Sequence, residues 1–72
     1  MSTFPESLKS WRKARRCSQL DLAMEANVSS RHISFLETGR ARPSPEMILR
    51  LGDALDLPLA ARNQMLTQAG FA

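Results

Sequence analysis

The segment Ser18–Gly39 (SQLDLAMEANVSSRHISFLETG) constrains the fold of this chain more than any other feature. Its apolar residues fall on one buried face only if the segment forms two short helices that break near Asn27. These apolar residues are Leu20, Leu22, Ala23, Ala26, Val28, Ile33 and Leu36. The pattern therefore predicts a helix, a tight turn and a second helix.

The polar residues at the ends of the two helices fit this arrangement. Ser18, followed three residues later by Asp21, is typical of a capping box at the first helix. Ser29 can cap the second helix, and Gly39 can close it in a left-handed conformation that costs a glycine little. Asn27 tolerates the positive φ that such a turn often needs.

The same segment resembles the helix-turn-helix of the phage repressor and Cro type, the XRE family. In that family a Gln opens the first helix, a small residue stands at the fifth place, a turn residue at the ninth, and apolar residues at fixed places in the second helix. The residues that match these places are Gln19, Ala23, Asn27, Val28, Ile33 and Leu36. The family usually has Gly at the turn, where this chain has Asn27. The resemblance implies that the second helix lies in the DNA major groove.

The length of 72 residues allows one domain with a modest core. We expect an all-α, compact five-helix repressor-like domain over residues 1–72. The single Cys17 excludes an internal disulfide. No apolar run resembles a signal peptide or approaches membrane-spanning length, so we expect a cytoplasmic, nucleoid-associated protein with no membrane partner.

Basic charge is concentrated in two parts of the chain. Residues 1–17 contain five cations against the single acid Glu6, and residues 31–42 contain three arginines against Glu37. A polyanion-binding surface beside the second helix would require such a distribution. On charge alone, a solvated basic face explains it equally well.

Steps of about 100° per residue divide the second helix into two faces. Ile33 and Leu36 point to the core, whereas Arg31, Ser34, Phe35 and Thr38 point away, with Ser30 and His32 on the flanks. The Arg31 guanidinium has the geometry to bind guanine O6 and N7, and Ser30 and Ser34 can bind base edges or phosphates. Phe35 either contacts thymine methyl groups or packs against the loop after Gly39, and the sequence favours neither. The predicted DNA-binding residues are Gln19, Ser29, Ser30, Arg31, His32, Ser34, Phe35, Thr38, Arg40 and Arg42.

Phosphate contacts are expected on both sides of this helix. Gln19 opens the first helix of the motif, where unpaired N–H groups can bind a phosphate. The resemblance implies that Gln19 contacts the DNA backbone and braces the second helix. Thr38, Arg40 and Arg42 would bind phosphates on the other side of the groove, so they would position the domain without reading sequence.

Catalytic and metal chemistry find no support in the sequence. His32 is the only histidine and Cys17 the only cysteine, so a zinc site lacks ligands and a Cys–His dyad lacks a third group to orient it. We predict no enzyme activity, no metal and no cofactor. His32 is expected to pack against the first motif helix or to touch a phosphate.

The helix that precedes the motif is predicted over residues 3–15, with Phe4, Leu8 and Trp11 as its apolar stripe. The resemblance implies a structural, largely buried ion pair between Arg12 of this helix and Glu37. Where the family usually has Gly and then Leu, this chain has Arg16 and Cys17. Arg16 must therefore take a strained cap or end the helix differently. We expect Cys17 to be a buried, inert thiol.

Two more helices are predicted after the motif. Ser44 caps a helix that has Pro45 at its first position and ends before Leu57. Gly52 within it suggests close packing against a neighbouring helix. The fifth helix runs from about residue 59 to 69, with Gly70 as its left-handed cap.

Residues 32–72 also resemble the amino-terminal domain of MmyB-like bacterial regulators. In those proteins a ligand-sensing domain of PAS-like fold follows. The resemblance implies that residues 1–72 are the DNA-binding part of a longer regulator. No ligand site can be located in them.

Together these features predict sequence-specific binding of double-stranded DNA by a bacterial transcriptional regulator. One short helix reads only a few base pairs, so we expect a homodimer on a palindromic operator. Apolar residues of the last helix, such as Met65 or Phe71, are candidates for the dimer contact. The alternative is a protein-interaction module of antitoxin type in which DNA binding is secondary.

Overall fold

The structure is a computed structural model that describes residues 2–71. Its five helices are α1 (Phe4–Ala14), α2 (Gln19–Ala26), α3 (Ser30–Thr38), α4 (Pro45–Ala54) and α5 (Leu59–Gln68). This order confirms the predicted all-α, five-helix architecture. Within residues 2–71, every helix is too short or too polar to cross a membrane.

Serine side chains begin three of the helices. The Ser18 hydroxyl accepts a hydrogen bond from the N–H of Asp21 at 2.9 Å, and the Asp21 carboxylate accepts one from the N–H of Ser18 at 3.4 Å. Ser29 caps α3 and Ser44 caps α4 in the same way. These hydroxyls satisfy N–H groups that have no partner within the helix, which confirms the predicted boundaries.

Left-handed residues end the helices. Asn27 and Gly39, at φ 58° and 80°, reverse the chain where the sequence predicted it. Arg16 also has a positive φ, of 54°, so it takes the strained cap rather than ending α1 in another way. Asp56 also takes a left-handed conformation after α4, at φ 51°, which no sequence pattern predicted.

The core lies on the inner face of α3. Ile33 and Leu36 are fully buried there. Helix α3 packs against α1 and α2, α4 packs against α2 and α5, and α5 also contacts α1. The remaining fully buried large side chains are Leu8, Leu22, Ile48, Leu51 and Met65. The other helices therefore gather behind α3.

Three expectations about burial are wrong. Leu20, which the apolar pattern placed on the buried face of the motif, is 60% exposed, because on a helix it lies about 200° from the buried Leu22. Met65 is only 1% exposed, so it belongs to the core and cannot form a dimer contact. Cys17 is half-buried rather than buried, because it lies in the connection between α1 and α2 instead of on an inner helix face. Partial burial, with the charge of nearby Asp21, raises the pKa of its thiol, which keeps it protonated.

Close packing at Gly52 is confirmed, and the packed group is the side chain of Arg62. A Cβ atom on Gly52 would lie 2.9 Å from both Cγ and Cδ of Arg62. The Arg62 guanidinium Nε donates a hydrogen bond to the carbonyl oxygen of Leu57 at 2.8 Å, and a terminal nitrogen binds the carboxylate of Asp53. Glycine therefore makes room for an arginine that holds the α4–α5 turn.

Candidate nucleic-acid interface

Within residues 2–71, helix α3 presents an outer face whose residues are exposed or half-buried. Ser30, Arg31 and Thr38 on this face are exposed, and Ser34 and Phe35 are half-buried. Ile33 and Leu36 point to the opposite side, because about 3.6 residues make one turn, and the buried Glu37 lies at the edge of the outer face, about 20° from Ser30. Arg31 is the second residue of α3 and stands in its first turn, two positions after the Ser29 cap.

The chain that leaves α3 is held against its last turn. The N–H of Arg40 donates to the carbonyl oxygen of Phe35 at 2.9 Å, and the Arg40 guanidinium lies 5.8 Å from the centre of the Phe35 ring. This cation–π contact is the packing against the loop that one interpretation of Phe35 proposed. The ring keeps some exposed surface, so contact with thymine methyl groups remains a prediction.

The other predicted residues surround this face. Arg40 and Arg42 are exposed in the loop after α3, and Ser29 is exposed before it. His32 is half-buried on the flank. The Thr38 hydroxyl donates to the carbonyl oxygen of Ser34 at 3.0 Å and remains at the surface, where its oxygen can still accept a hydrogen bond.

Three helices meet at the carboxylate of Glu37. Arg12 of α1 donates from Nε at 2.6 Å and from Nη2 at 3.1 Å, so the pair is bidentate. Gln19 of α2 donates from Nε2 at 3.1 Å. The side chains of Arg12 and Glu37 are 12% and 2% exposed, which makes the pair largely buried. This network fixes the amino-terminal end of α2 relative to α3.

The charges in this network stabilise each other. Burial by itself would raise the pKa of Glu37, but hydrogen bonds from Arg12 and Gln19, with the charges of Arg12 and Lys9, outweigh it and lower that pKa. The hydrogen bond to Glu37 raises the pKa of Arg12. A third Arg12 nitrogen, Nη1, donates to the carbonyl oxygen of Cys17 at 2.9 Å. Both partners are therefore ionised and satisfied at neutral pH.

Gln19 is both part of this network and the first residue of α2. Its amide nitrogen carries two hydrogens, and the bond to Glu37 uses one. The Ser18 cap takes the N–H of Asp21, which leaves the earlier N–H groups of the turn pointing outward. An anion can bind at this end of α2.

A comparison with protein-family models matches residues 8–62 to the family described as Helix-turn-helix, here of the XRE type. The match covers α2, α3 and the turn between them. The chain belongs to the XRE-type helix-turn-helix family. A search of curated proteins finds no match.

Membership identifies α2 and α3 as the helices of a DNA-binding helix-turn-helix and gives DNA as the partner of this domain. Helix-turn-helix is a DNA-binding rather than an enzymatic family. The second helix of the helix-turn-helix is α3, which carries the largely exposed face described above.

Two arginines of this helix-turn-helix domain have structural roles that sequence reasoning missed. Arg50 donates to the carbonyl oxygen of Ala26 at 2.8 Å, and Arg15 donates to those of Leu55 at 3.0 Å and Asp56 at 3.2 Å. Each guanidinium thus covers the carbonyl end of another helix, where a positive charge is favourable. The last turns of α2 and α4 contain no basic residue, and this was the only hint in the sequence that a cation from elsewhere binds their carbonyl groups.

The cations of the domain therefore divide into two groups. Arg12, Arg15, Arg50 and Arg62 are hydrogen-bonded to protein oxygens. Within residues 2–71, the others are exposed and donate no side-chain hydrogen bond to the protein; they are Lys9, Lys13, Arg16, Arg31, Arg40 and Arg42. The second group is the one that can bind an external anion.

Proposed function

We propose that this domain binds double-stranded DNA sequence-specifically, with α3 in the major groove, and thereby regulates bacterial transcription. The observation that carries the proposal is the outer face of α3. It is largely exposed, it bears Arg31, and the exposed cations Arg40 and Arg42 lie next to its carboxyl end. A helix of this kind fits the width of the major groove, and the surrounding charge fits its phosphates.

Sequence readout is assigned to Arg31, Ser34 and Phe35. Arg31 would donate two hydrogen bonds to O6 and N7 of a guanine, the commonest specific contact in the groove. Ser34, and Ser30 beside it, would bind base edges or phosphates. The exposed edge of the Phe35 ring would contact a thymine methyl group.

Positioning on the duplex is assigned to residues at the ends of α2 and α3. Gln19 would bind a phosphate with its second amide hydrogen and the N–H groups of the first turn of α2. Thr38, Arg40 and Arg42 would bind the backbone on the opposite side of the groove. Ser29 and His32 would touch phosphate near the start of α3. Such contacts fix register but carry no sequence information.

We further propose that the domain acts as a homodimer on a palindromic operator, because α3 alone spans only a few base pairs. Leu59 and Phe71 replace Met65 as candidates for the contact between copies, since they are 72% and 38% exposed. Either residue could instead contact a following ligand-sensing domain of the kind that MmyB-like regulators have.

The alternative function is a protein-interaction module of antitoxin type. It is favoured by Leu20 and Met24, which are 60% and 72% exposed and stand one turn apart on α2. Apolar side chains at this exposure are suited to a protein partner rather than to phosphate.

A salt titration with random-sequence duplex separates the two functions. A domain that contacts about four to six phosphates per subunit should lose affinity steeply, with a slope of log K against log salt near 0.9 per contact. Absence of binding even at low salt would favour the interaction module. Selection of bound sites from a random oligonucleotide pool then tests specificity, because a purely nonspecific binder enriches no common sequence.

A further inference from the structure

Helix α1 carries a basic face that the roles assigned so far do not use. At about 100° per residue, Lys9 and Lys13 are turned about 60° and 100° from Arg12, away from the buried Leu8. Both lysines are exposed. Arg16, also exposed, follows in the turn that leads to α2. We call Lys9, Lys13 and Arg16 the α1 ridge.

The α1 ridge begins beside the carboxyl end of α3. A Cβ atom on Gly39 would lie 3.9 Å from Cγ of Pro5, and Arg12 binds Glu37. Pro5 and Arg12 stand before and after Lys9 along α1, so Lys9 lies above the last turn of α3. The charge of Lys9 is one of the influences that lower the pKa of Glu37, as this position requires. The ridge is therefore continuous with the interface that α3 and Gln19 form.

Among residues 2–71, the three cations of the α1 ridge lie outside the salt bridges, although the charge of Lys9 acts on Glu37 from a distance. The two salt bridges within these residues are Arg12 with Glu37 and Arg62 with Asp53. Arg12 and Arg15, their neighbours along α1, are in contrast bound to protein oxygens. The ridge extends over about 10 Å at about 1.5 Å per residue. A row of exposed cations of this length fits a linear polyanion.

We propose that the α1 ridge is a second phosphate-binding surface, which contacts the DNA backbone outside the stretch of groove that α3 occupies. The inference rests on the proposed function, since it extends the footprint of the same complex. DNA is favoured over other polyanions because the ridge adjoins the helix-turn-helix. A second phosphate-binding surface predicts that full affinity requires a duplex that extends beyond the base pairs read by α3.

The test compares two variants with the same change in net charge. Lys9→Gln with Lys13→Gln removes two positive charges from the ridge. Asn63→Asp with Gln64→Glu adds two negative charges on α5, at exposed positions of a helix that packs against α1 and α4 rather than α3. Each variant is titrated with salt on random-sequence duplex beside the unchanged protein, and thermal unfolding verifies that it is folded.

The ridge variant should reduce the salt slope by about 1.8 per subunit, which corresponds to two phosphate contacts, and the α5 variant should leave it unchanged. Arg16→Gln should reduce it by about 0.9. On a duplex trimmed to the selected site, the ridge variant and the unchanged protein should bind with the same affinity.

Equal salt slopes for the ridge variant and the unchanged protein would refute phosphate binding by the α1 ridge and leave the proposed function intact. Equal reductions in both charge variants would show a general charge effect and also refute phosphate binding by the α1 ridge. If the unchanged protein binds no duplex at low salt, the proposed function fails first.

Discussion

The side-chain amide nitrogen of Gln19 lies 3.1 Å from a carboxylate oxygen of Glu37, which joins the first residue of α2 to the penultimate residue of α3. The same carboxylate holds Arg12 of α1 in a bidentate ion pair. The proposed phosphate-binding residue is therefore also a brace for the proposed reading helix. In the proposed complex, contact with the DNA backbone and the orientation of α3 would depend on one network.

The ion pair between Arg12 and Glu37 gives the first prediction. Replacement of Arg12 by Ala should reduce the free energy of unfolding by about 3 to 5 kcal/mol, because a buried carboxylate loses its charged partner. Urea denaturation measures the loss. The double replacement Arg12→Met with Glu37→Leu should lose much less, since neither charge is then buried alone. A double variant as unstable as Arg12→Ala would show that packing rather than charge causes the effect.

Stability should fall in acid because of Glu37. Its pKa lies below the ordinary 4.5 in the folded protein, so the unfolded state binds the proton more readily. The stabilisation is complete above the ordinary pKa and is lost as the pH falls through the lowered one. We expect the difference in free energy of unfolding between the unchanged protein and Glu37→Gln to shrink below about pH 4.5. Urea denaturation from about pH 6 to pH 3 measures it, and a constant difference would contradict the assignment.

Arg31 and Arg42 should differ in their effect on DNA binding. Arg31→Ala should weaken binding to a selected site by about 1 to 3 kcal/mol and relax the preference at one base pair. Arg42→Ala should weaken binding to all sequences alike, because it is assigned to phosphate. Equilibrium binding to the selected site and its single-base variants separates the two results. Equal losses on every sequence for both variants would mean that readout lies elsewhere.

Gly52 and Arg62 should be energetically coupled. Ala is a better helix former than Gly by about 1 kcal/mol, yet its Cβ would displace Arg62 from the carbonyl of Leu57. Loss of this charged hydrogen bond should outweigh the gain in helix propensity. Gly52→Ala should therefore lower the free energy of unfolding by about 0.5 to 2 kcal/mol. In an Arg62→Ala background the same change should stabilise it by about 1 kcal/mol. A double-mutant cycle in urea measures the coupling, and equal effects in both backgrounds would exclude it.

Arg16→Gly should stabilise the domain. Glycine removes the strain of the left-handed conformation, which should raise the free energy of unfolding by about 1 to 2 kcal/mol. The greater freedom of glycine in the unfolded chain lowers it again by about 0.5 to 1 kcal/mol. Arg16→Ala, which keeps the strain, is the matched control and should change stability little. Thermal unfolding of the three proteins tests this. An Ala variant as stable as the Gly variant would contradict the strain argument.

The five helices could be predicted because their signals are local. Ser18, Ser29 and Ser44 cap helices through neighbours three residues away, and Asn27 reverses the chain through its own backbone preference. The Arg12–Glu37 pair joins two helices and required the family resemblance. Its partners are 25 residues apart, and no local pattern connects them.

Most of the unpredicted features depend on how the helices pack; the left-handed backbone of Asp56 is a local exception. Arg50 and Arg15 reach carbonyl groups 24 and 40 residues away, so their roles appear only when α4 lies beside α2 and α1 beside the α4–α5 turn. Met65 was misassigned because α5 carries apolar residues on both sides: Leu59 is exposed, whereas Met65 is in the core. The sequence separated the charged surface from the core but could not separate the structural arginines from the exposed ones.

The bond from Arg50 to the last carbonyl of α2 has a consequence for the thermodynamics of association. Since α4 holds the end of α2 while Glu37 holds its start, the angle between α2 and α3 is set before any ligand arrives. Complex formation then carries little conformational-entropy penalty from the motif itself. In the proposed complex Arg50 lies outside the DNA interface, so its replacement should reintroduce that penalty and weaken binding to every DNA sequence by the same factor.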